Sequence, residues 1–85
     1  MRVFIVYYHT IGKTILHRAG CGQLGRMVLV PRPERTIAEV HPILVLKYLL
    51  LGYKRHSCLT PRNRVQEVAL IEELVDDADV SLVRI

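Results

Sequence analysis

Hydrophobic positions at the start of the chain predict a β-hairpin. Residues 3–8 form a nearly continuous run of β-branched and aromatic side chains, which is typical of a strand buried on both faces. Residues 14–17 predict a short second strand, antiparallel to the first across a turn that contains Gly12.

The middle of the chain divides into short apolar runs separated by prolines. Residues 27–30 indicate a third strand, and the proline-rich residues 31–35 predict a loop, because proline fits neither a central strand nor a helix interior. Residues 36–40 fit either a strand or a short helical turn. Pro42 suits the first position of a helix and Gly52 suits the left-handed position that ends one, so we expect a helix over residues 42–51.

The last third of the chain predicts a second helix and a final strand. Thr60 and Pro61 form an N-cap followed by proline at the first helical position. Apolar residues at helical spacing extend this helix over residues 61–76; they are Val65, Val68, Ala69, Ile71, Leu74 and Val75. Residues 79–85 predict a closing strand. The expected fold class is α+β, with an N-terminal β-hairpin, a short third strand, two helices and a C-terminal strand in one domain over residues 1–85.

No stretch of the sequence predicts a membrane span. Residues 43–51 are apolar apart from Lys47, but as a helix they would extend only about 14 Å, roughly half of what a bilayer requires. The first residues lead directly into the expected strand without the features of a signal peptide. We therefore expect a cytoplasmic protein with no membrane partner.

The hydrophobic content favours self-association. Hydrophobic residues make up 51% of the chain, a high share for a small domain. Residues 80–83 also have the composition of an edge strand that could pair with another sheet. We expect a homodimer or a larger homo-oligomer, in which acidic tails dock on a neighbour's basic body.

Two segments each offer one imidazole and one thiol, although the chain has only two cysteines and four histidines. Three residues separate His17 from Cys21 after the hairpin, and one residue separates His56 from Cys58. Two nitrogen and two sulfur donors can close the tetrahedral site of a structural zinc. We therefore expect a metal-ligand turn at the end of the hairpin, with zinc held by these four residues and His9 as a candidate spare ligand.

Two alternatives to a metal remain open at this stage. Cys21 and Cys58 can be ordinary buried residues that act as small hydrophobic side chains. They can also form a disulfide, because the single asparagine, the two glutamines and the many arginines are compatible with a thermophile. Intracellular disulfides occur in hyperthermophiles.

Two motifs in a hairpin-then-helix order carry a family resemblance. They are His17-Arg18-Ala19-Gly20-Cys21 and Gly52-Tyr53-Lys54-Arg55-His56 followed by Pro61. Over residues 3–75 the chain resembles the Ada-type metal-binding domain, the N-terminal zinc module of bacterial DNA alkylation-repair proteins, and related small zinc modules. The resemblance implies a zinc scaffold and a DNA-facing surface that includes Arg18. The family's methyl-accepting cysteine corresponds to His17, and an imidazole is not a zinc-activated thiolate, so the resemblance implies no repair chemistry.

Positive charge is concentrated before residue 65. The net charge is +4, but residues 1–64 hold eleven Lys or Arg against two acids, whereas residues 65–85 hold one Arg against six acids. A basic body favours a polyanionic partner. Arg62 and Arg64 stand at the positive end of the second helix, an arrangement that a bound phosphate would explain. We expect nucleic acid, DNA rather than RNA, to contact Arg18, Lys54, Arg55, Arg62 and Arg64.

The sequence contains no recognisable catalytic constellation. The acids cluster in the last third, away from the histidines in sequence, and neither serine has the context of a nucleophile. The leading hypothesis is a small zinc-stabilised nucleic-acid-binding module that is not an enzyme. The alternatives are a metal-free homo-oligomeric interaction protein, and a metal-independent nuclease that uses His9, His41 or His56 with arginines on RNA.

Overall fold

A computed structural model describes residues 1–83, with side chains described for residues 1–79. Its centre is a four-stranded mixed sheet in the order β3-β1-β2-β4. β1 pairs antiparallel with β2 and β3, whereas β2 pairs in parallel with β4. The strands are β1 (Val3–Tyr8), β2 (Lys13–Arg18), β3 (Arg35–Val40) and β4 (Lys54–Arg55).

Over residues 1–83, three helices and one short 3-10 turn complete the fold, which confirms the α+β class. The 3-10 turn, Ser57–Leu59, follows β4 directly. Within the described residues, no helix combines the length and the apolar character needed to cross a membrane. The helices are α1 (Gly22–Leu29), α2 (Pro42–Leu50) and α3 (Arg64–Val83).

β1 is buried on both faces, as its apolar run predicts. Successive side chains of a strand point to opposite faces. Val3 lies in a core cluster with Val45 of α2 and Leu74 of α3. Val6 lies in a second cluster with Leu24 and Met27 of α1. The sheet therefore separates α1 on one face from α2 and α3 on the other.

The predicted turns and the boundaries of the first predicted helix are confirmed. Gly12 has φ 63° in the hairpin turn, and Gly52 has φ 78° just after α2. Both values lie in the left-handed region, which glycine adopts without a Cβ clash. At the start of α2, Pro42 follows His41, whose Nδ1 accepts a hydrogen bond from the Ile43 N–H at 3.2 Å.

The structure corrects or decides three sequence predictions in the middle of the chain. The strand expected at residues 27–30 is wrong, because residues 27–29 belong to α1, which buries Leu24 and Met27 on one helical face. The third strand is β3, which settles the choice left open for residues 36–40. The second predicted helix begins three residues late because Asn63, not Thr60, caps it, with Oδ1 accepting from the Gln66 N–H at 3.0 Å.

The predicted C-terminal strand is also wrong over its described part. α3 continues through Val83, so residues 79–83 are helical. No Pro or Gly follows Asn63 to end the helix, and Leu70, Leu74 and Ala78 bury one continuous face. Residues 84–85 lie outside the described part of the chain. An oligomer built on an edge strand at residues 80–83 has no basis in this fold.

Candidate metal centre

The pairing of β2 with β4 brings the two ligand segments together. The register aligns Leu16 with Arg55, and the His56 N–H donates to the Leu16 carbonyl at 2.9 Å. His17 and His56, the next residues along each segment, consequently lie side by side. Their rings stack with centroids 4.6 Å apart and planes 23° from parallel.

Each cysteine follows its histidine on a tight turn. Beyond β2 the chain reverses through Gly20, which has φ 90°, and the Cys21 N–H donates to the Arg18 carbonyl at 3.1 Å. Cys21 is thereby placed at the N-cap position of α1. On the other segment, Cys58 lies in the 3-10 turn that follows His56.

The four predicted ligands lie close enough to hold a metal ion. One donor atom from each of His17, Cys21, His56 and Cys58 can be chosen so that all four lie within 4.8 Å of one another. Cys21 Sγ and His56 Nδ1 are 3.6 Å apart. A tetrahedral ion with metal–sulfur and metal–nitrogen bonds of about 2.3 and 2.0–2.1 Å would separate S from N by about 3.6 Å. The observed separation therefore suits a shared ion.

His17 is the most deeply buried ligand. The residue is 1% exposed, and its Nδ1 has no hydrogen-bond partner among the described residues. A buried polar atom without a partner is costly and calls for an explanation. Burial, followed by the proximity of His56, lowers the pKa of His17. The imidazole is therefore held neutral, which is the form that binds a metal.

The two thiols experience different surroundings. Burial raises the pKa of Cys58, although its Sγ accepts a hydrogen bond from the Arg18 N–H at 3.2 Å. Burial also acts to raise the pKa of Cys21, but the Leu24 N–H, the Cys58 thiol and the Gln23 N–H outweigh it and lower that pKa. Cys21 makes no capping hydrogen bond of regular geometry with α1. Amide N–H groups directed at sulfur are typical of the groups that support metal-bound thiolates.

His56 Nδ1 lies close to groups of both cysteines. It accepts a hydrogen bond from the Cys58 N–H at 3.3 Å and lies 3.6 Å from the Cys21 sulfur. Since a neutral imidazole has one acceptor nitrogen, a metal bound at Nδ1 would replace the Cys58 contact. Both cysteines are free thiols in this structure, without the disulfide that the sequence left open.

The other two histidines have separate roles. His9 Nε2 lies 2.6 Å from Thr36 Oγ1, and its ring contacts Tyr7 edge-on. His41 caps α2 through its Nδ1. The potential metal-binding group found in the described residues includes neither of them.

The five predicted nucleic-acid contacts occupy four different settings. Arg18 and Arg62 line one cavity of about 380 Å³ beside Cys58. Arg64 lies on another side of α3, in a cavity shared with Val65 and Val68. The remaining residues are Lys54, which is exposed, and Arg55, whose Nη1 lies 3.1 Å from both carboxylate oxygens of Glu67.

These settings leave two cations without an internal partner at the cavity beside Cys58. Among the side chains of residues 1–79, no carboxylate lies within ion-pair distance of Arg18 or Arg62. Arg55, by contrast, has its charge compensated by Glu67. The sequence did not reveal this difference, because the contact between β4 and α3 depends on the tertiary fold.

Sequence reasoning did not identify which backbone groups surround the sulfurs. The N–H groups of Arg18, Gln23 and Leu24 act at the cysteines. A helix beginning directly after Cys21 would have been the available signal, since the first N–H groups of a helix lack intrahelical partners. The predicted strand at residues 27–30 concealed that helix.

We compared the chain with known proteins and found no relative. No protein-family model, no curated protein and no solved structure matches the chain.

Proposed function

We propose that the protein is a small zinc-stabilised module that binds nucleic acid, with DNA as its preferred partner. The observation that carries the proposal is the convergence of His17, Cys21, His56 and Cys58 within 4.8 Å, from segments that are far apart in sequence. The partly buried position of the group suits a structural metal ion. A catalytic zinc would keep an open coordination position instead.

Zinc is the ion that the donor set favours. Two imidazoles and two thiolates form a soft ligand set of the kind found in tetrahedral structural zinc sites. Calcium and magnesium prefer oxygen ligands, and the group of four residues offers none. The unpartnered Nδ1 of His17 supports a ligand role for that residue.

The nucleic-acid part of the proposal rests on charge and position. Arg18 and Arg62 line the cavity beside Cys58 and have no internal carboxylate partner in the described part of the chain. The Arg18 N–H donates to the Cys58 sulfur, so the metal centre would hold the backbone of a phosphate-binding arginine in place. The resemblance of the two ligand motifs to the Ada-type module supports the same surface.

Elemental analysis of protein purified without added metal tests the zinc centre. We expect about one equivalent of zinc, lost when His56 is changed to Ala and retained when His9 is changed to Ala. Cobalt substitution should produce the absorption of a tetrahedral thiolate site. Absence of metal, with a mass two protons below that of the reduced chain, would refute the zinc centre in favour of a Cys21–Cys58 disulfide.

Salt-dependent binding to duplex DNA tests the second part separately. Each phosphate contact contributes a slope of about −0.9 to the plot of log affinity against log salt. Arg18→Ala and Arg62→Ala should each flatten that slope by about 0.9. Arg32→Ala is the matched control, because Arg32 lines a cavity with Phe4 and Met27 that none of the four candidate ligands lines. Wild-type protein that binds neither DNA nor RNA at low salt would refute the nucleic-acid role while leaving zinc untouched.

A further inference from the structure

α3 has a second apolar face besides the one in the core. Leu70, Leu74 and Ala78 are buried. Val68, Ile71 and Val75 follow the spacing i, i+3, i+7 and remain 48%, 39% and 42% exposed. This spacing is the heptad pattern by which one helix packs along another. α3 therefore packs one apolar face into the core and carries a second, exposed apolar seam, which consists of Val68, Ile71 and Val75.

The seam is continuous with an apolar groove between α2 and α3. Ile71 lines this groove with Leu46, Leu49 and Leu50. Leu50 is 89% exposed at the end of α2. Contiguous exposed apolar surface of this kind marks an interaction site more often than isolated hydrophobic residues do.

Charged residues extend the seam at both ends. Arg64 lies one turn before Val68, and Asp79 lies one turn after Val75, about 22 Å from Arg64 along the helix axis. Both residues are exposed. Each has the sign that the dipole of its own helix disfavours, since a cation stands at the N-terminus and an anion near the C-terminus. An oppositely oriented helix would present the opposite charge at each end.

We infer that a second copy of this chain docks along α3 in antiparallel orientation. A two-fold axis that passes between the two α3 helices, level with the midpoint of Ile71 and Glu72, sets Val68 against the partner's Val75. The same axis sets Arg64 against the partner's Asp79. Only the antiparallel arrangement satisfies the apolar and the charged positions in one register, and a surface that complements itself in this way suits a two-fold dimer.

This dimer has one unfavourable contact, and it changes which arginines remain accessible. Glu72 flanks the axis, so the partner's Glu72 approaches it and weakens the association. Arg64 becomes an interface residue, which leaves Arg18 and Arg62 on a different side of α3 for an external anion. The dimer does not depend on the proposed zinc or nucleic-acid binding.

The mass of the full chain in solution, measured by light scattering over a range of concentrations, tests the interface. Wild-type protein should be dimeric at high micromolar concentration, and Val68→Glu should be monomeric. Val28→Glu is the matched control, because Val28 is 57% exposed on α1, across the sheet from α3. Circular dichroism should show that both variants fold, since neither side chain belongs to a core cluster. A monomeric wild-type protein, or a dimeric Val68→Glu variant, would overturn the inference.

Charge exchange tests the orientation. Arg64→Glu alone and Asp79→Arg alone should each weaken the dimer about tenfold, because each turns two symmetry-related attractions into repulsions. The double variant Arg64→Glu/Asp79→Arg restores both attractions and should recover wild-type affinity to within about threefold. If the double variant is as weak as the single variants, the antiparallel register is wrong, even with the dimer intact.

Discussion

Replacing His17 by Leu should stabilise the metal-free protein against unfolding and should reduce the stability that zinc adds. The side chain is 1% exposed, and its Nδ1 is buried without a partner among the described residues. Leaving such an atom unsatisfied costs about 1–3 kcal/mol. Leucine has a similar volume and removes that cost, but it also removes the stacking on His56, worth about 0.5–1.5 kcal/mol. The net gain for the metal-free protein is about 1 kcal/mol.

The expected changes in melting temperature follow from these free energies. For a domain of this size, about 1 kcal/mol corresponds to roughly 4–8 °C, so His17→Leu should melt that much higher than the wild type in chelator. Zinc at about one hundred times its Kd should stabilise the wild type by about 2.7 kcal/mol, or roughly 10–20 °C. The variant should lose most of that increment because it lacks one of four ligands.

Thermal unfolding followed by circular dichroism, with chelator and with buffered zinc, measures all four values. His9→Leu is the control, since His9 lies outside the metal-ligand group and should leave the zinc increment unchanged. If His17→Leu melts below the wild type in chelator, the packing of the imidazole outweighs the cost of its unpartnered Nδ1. If the variant keeps the full zinc increment, His17 is not a ligand.

Three substitutions and one chemical modification test the fold and the thiols. Gly52→Ala should lower the free energy of unfolding by about 1–2 kcal/mol, because φ at Gly52 is 78°. Gly25→Ala should raise the free energy of unfolding by about 0.5–1 kcal/mol, because Gly25 lies inside α1 with open space at its Cβ position. Denaturant titrations in which both variants change stability in the same direction would contradict this. Leu74→Ala should cost about 2–5 kcal/mol in the same titrations because the side chain is fully buried, and a cost below that of an exposed site would contradict the packing. In metal-free protein near neutral pH, iodoacetamide should modify Cys21 before Cys58, because the pKa of Cys21 is lowered and that of Cys58 is raised; peptide mass analysis showing the reverse order would refute this.

The features that sequence predicted correctly depend on local rules. The hairpin follows from the apolar run of β1 and the glycine turn, and α2 follows from Pro42 and Gly52. The grouping of the four ligands was also correct, because soft donors are few in this chain and each pair lies on a short turn. These signals need only neighbouring residues or residue type.

The features that sequence missed depend on tertiary contacts. Residues 27–29 are apolar and partly β-branched, yet they are helical because Met27 packs with Leu24 against Val6 of the central strand. Residues 79–83 alternate in a strand-like way, yet they continue a helix that the core holds through Leu74 and Ala78. β4 has only two residues, which is too short for any periodicity to indicate it.

The position of the ligand pairs along the chain has a kinetic consequence. Cys21 and His56 are 35 residues apart, and all of α1, β3 and α2 lies between them. Closing so long a loop is slow relative to forming the local β1–β2 hairpin, so the two pairs meet only after β4 has joined β2. We predict that the contact between the two pairs forms after the folding transition state, so that an ion bound there would stabilise the native state but not the transition state. A bound ion should therefore slow unfolding much more than it accelerates folding. Release of zinc to an excess of chelator should proceed at the rate at which β4 separates from β2.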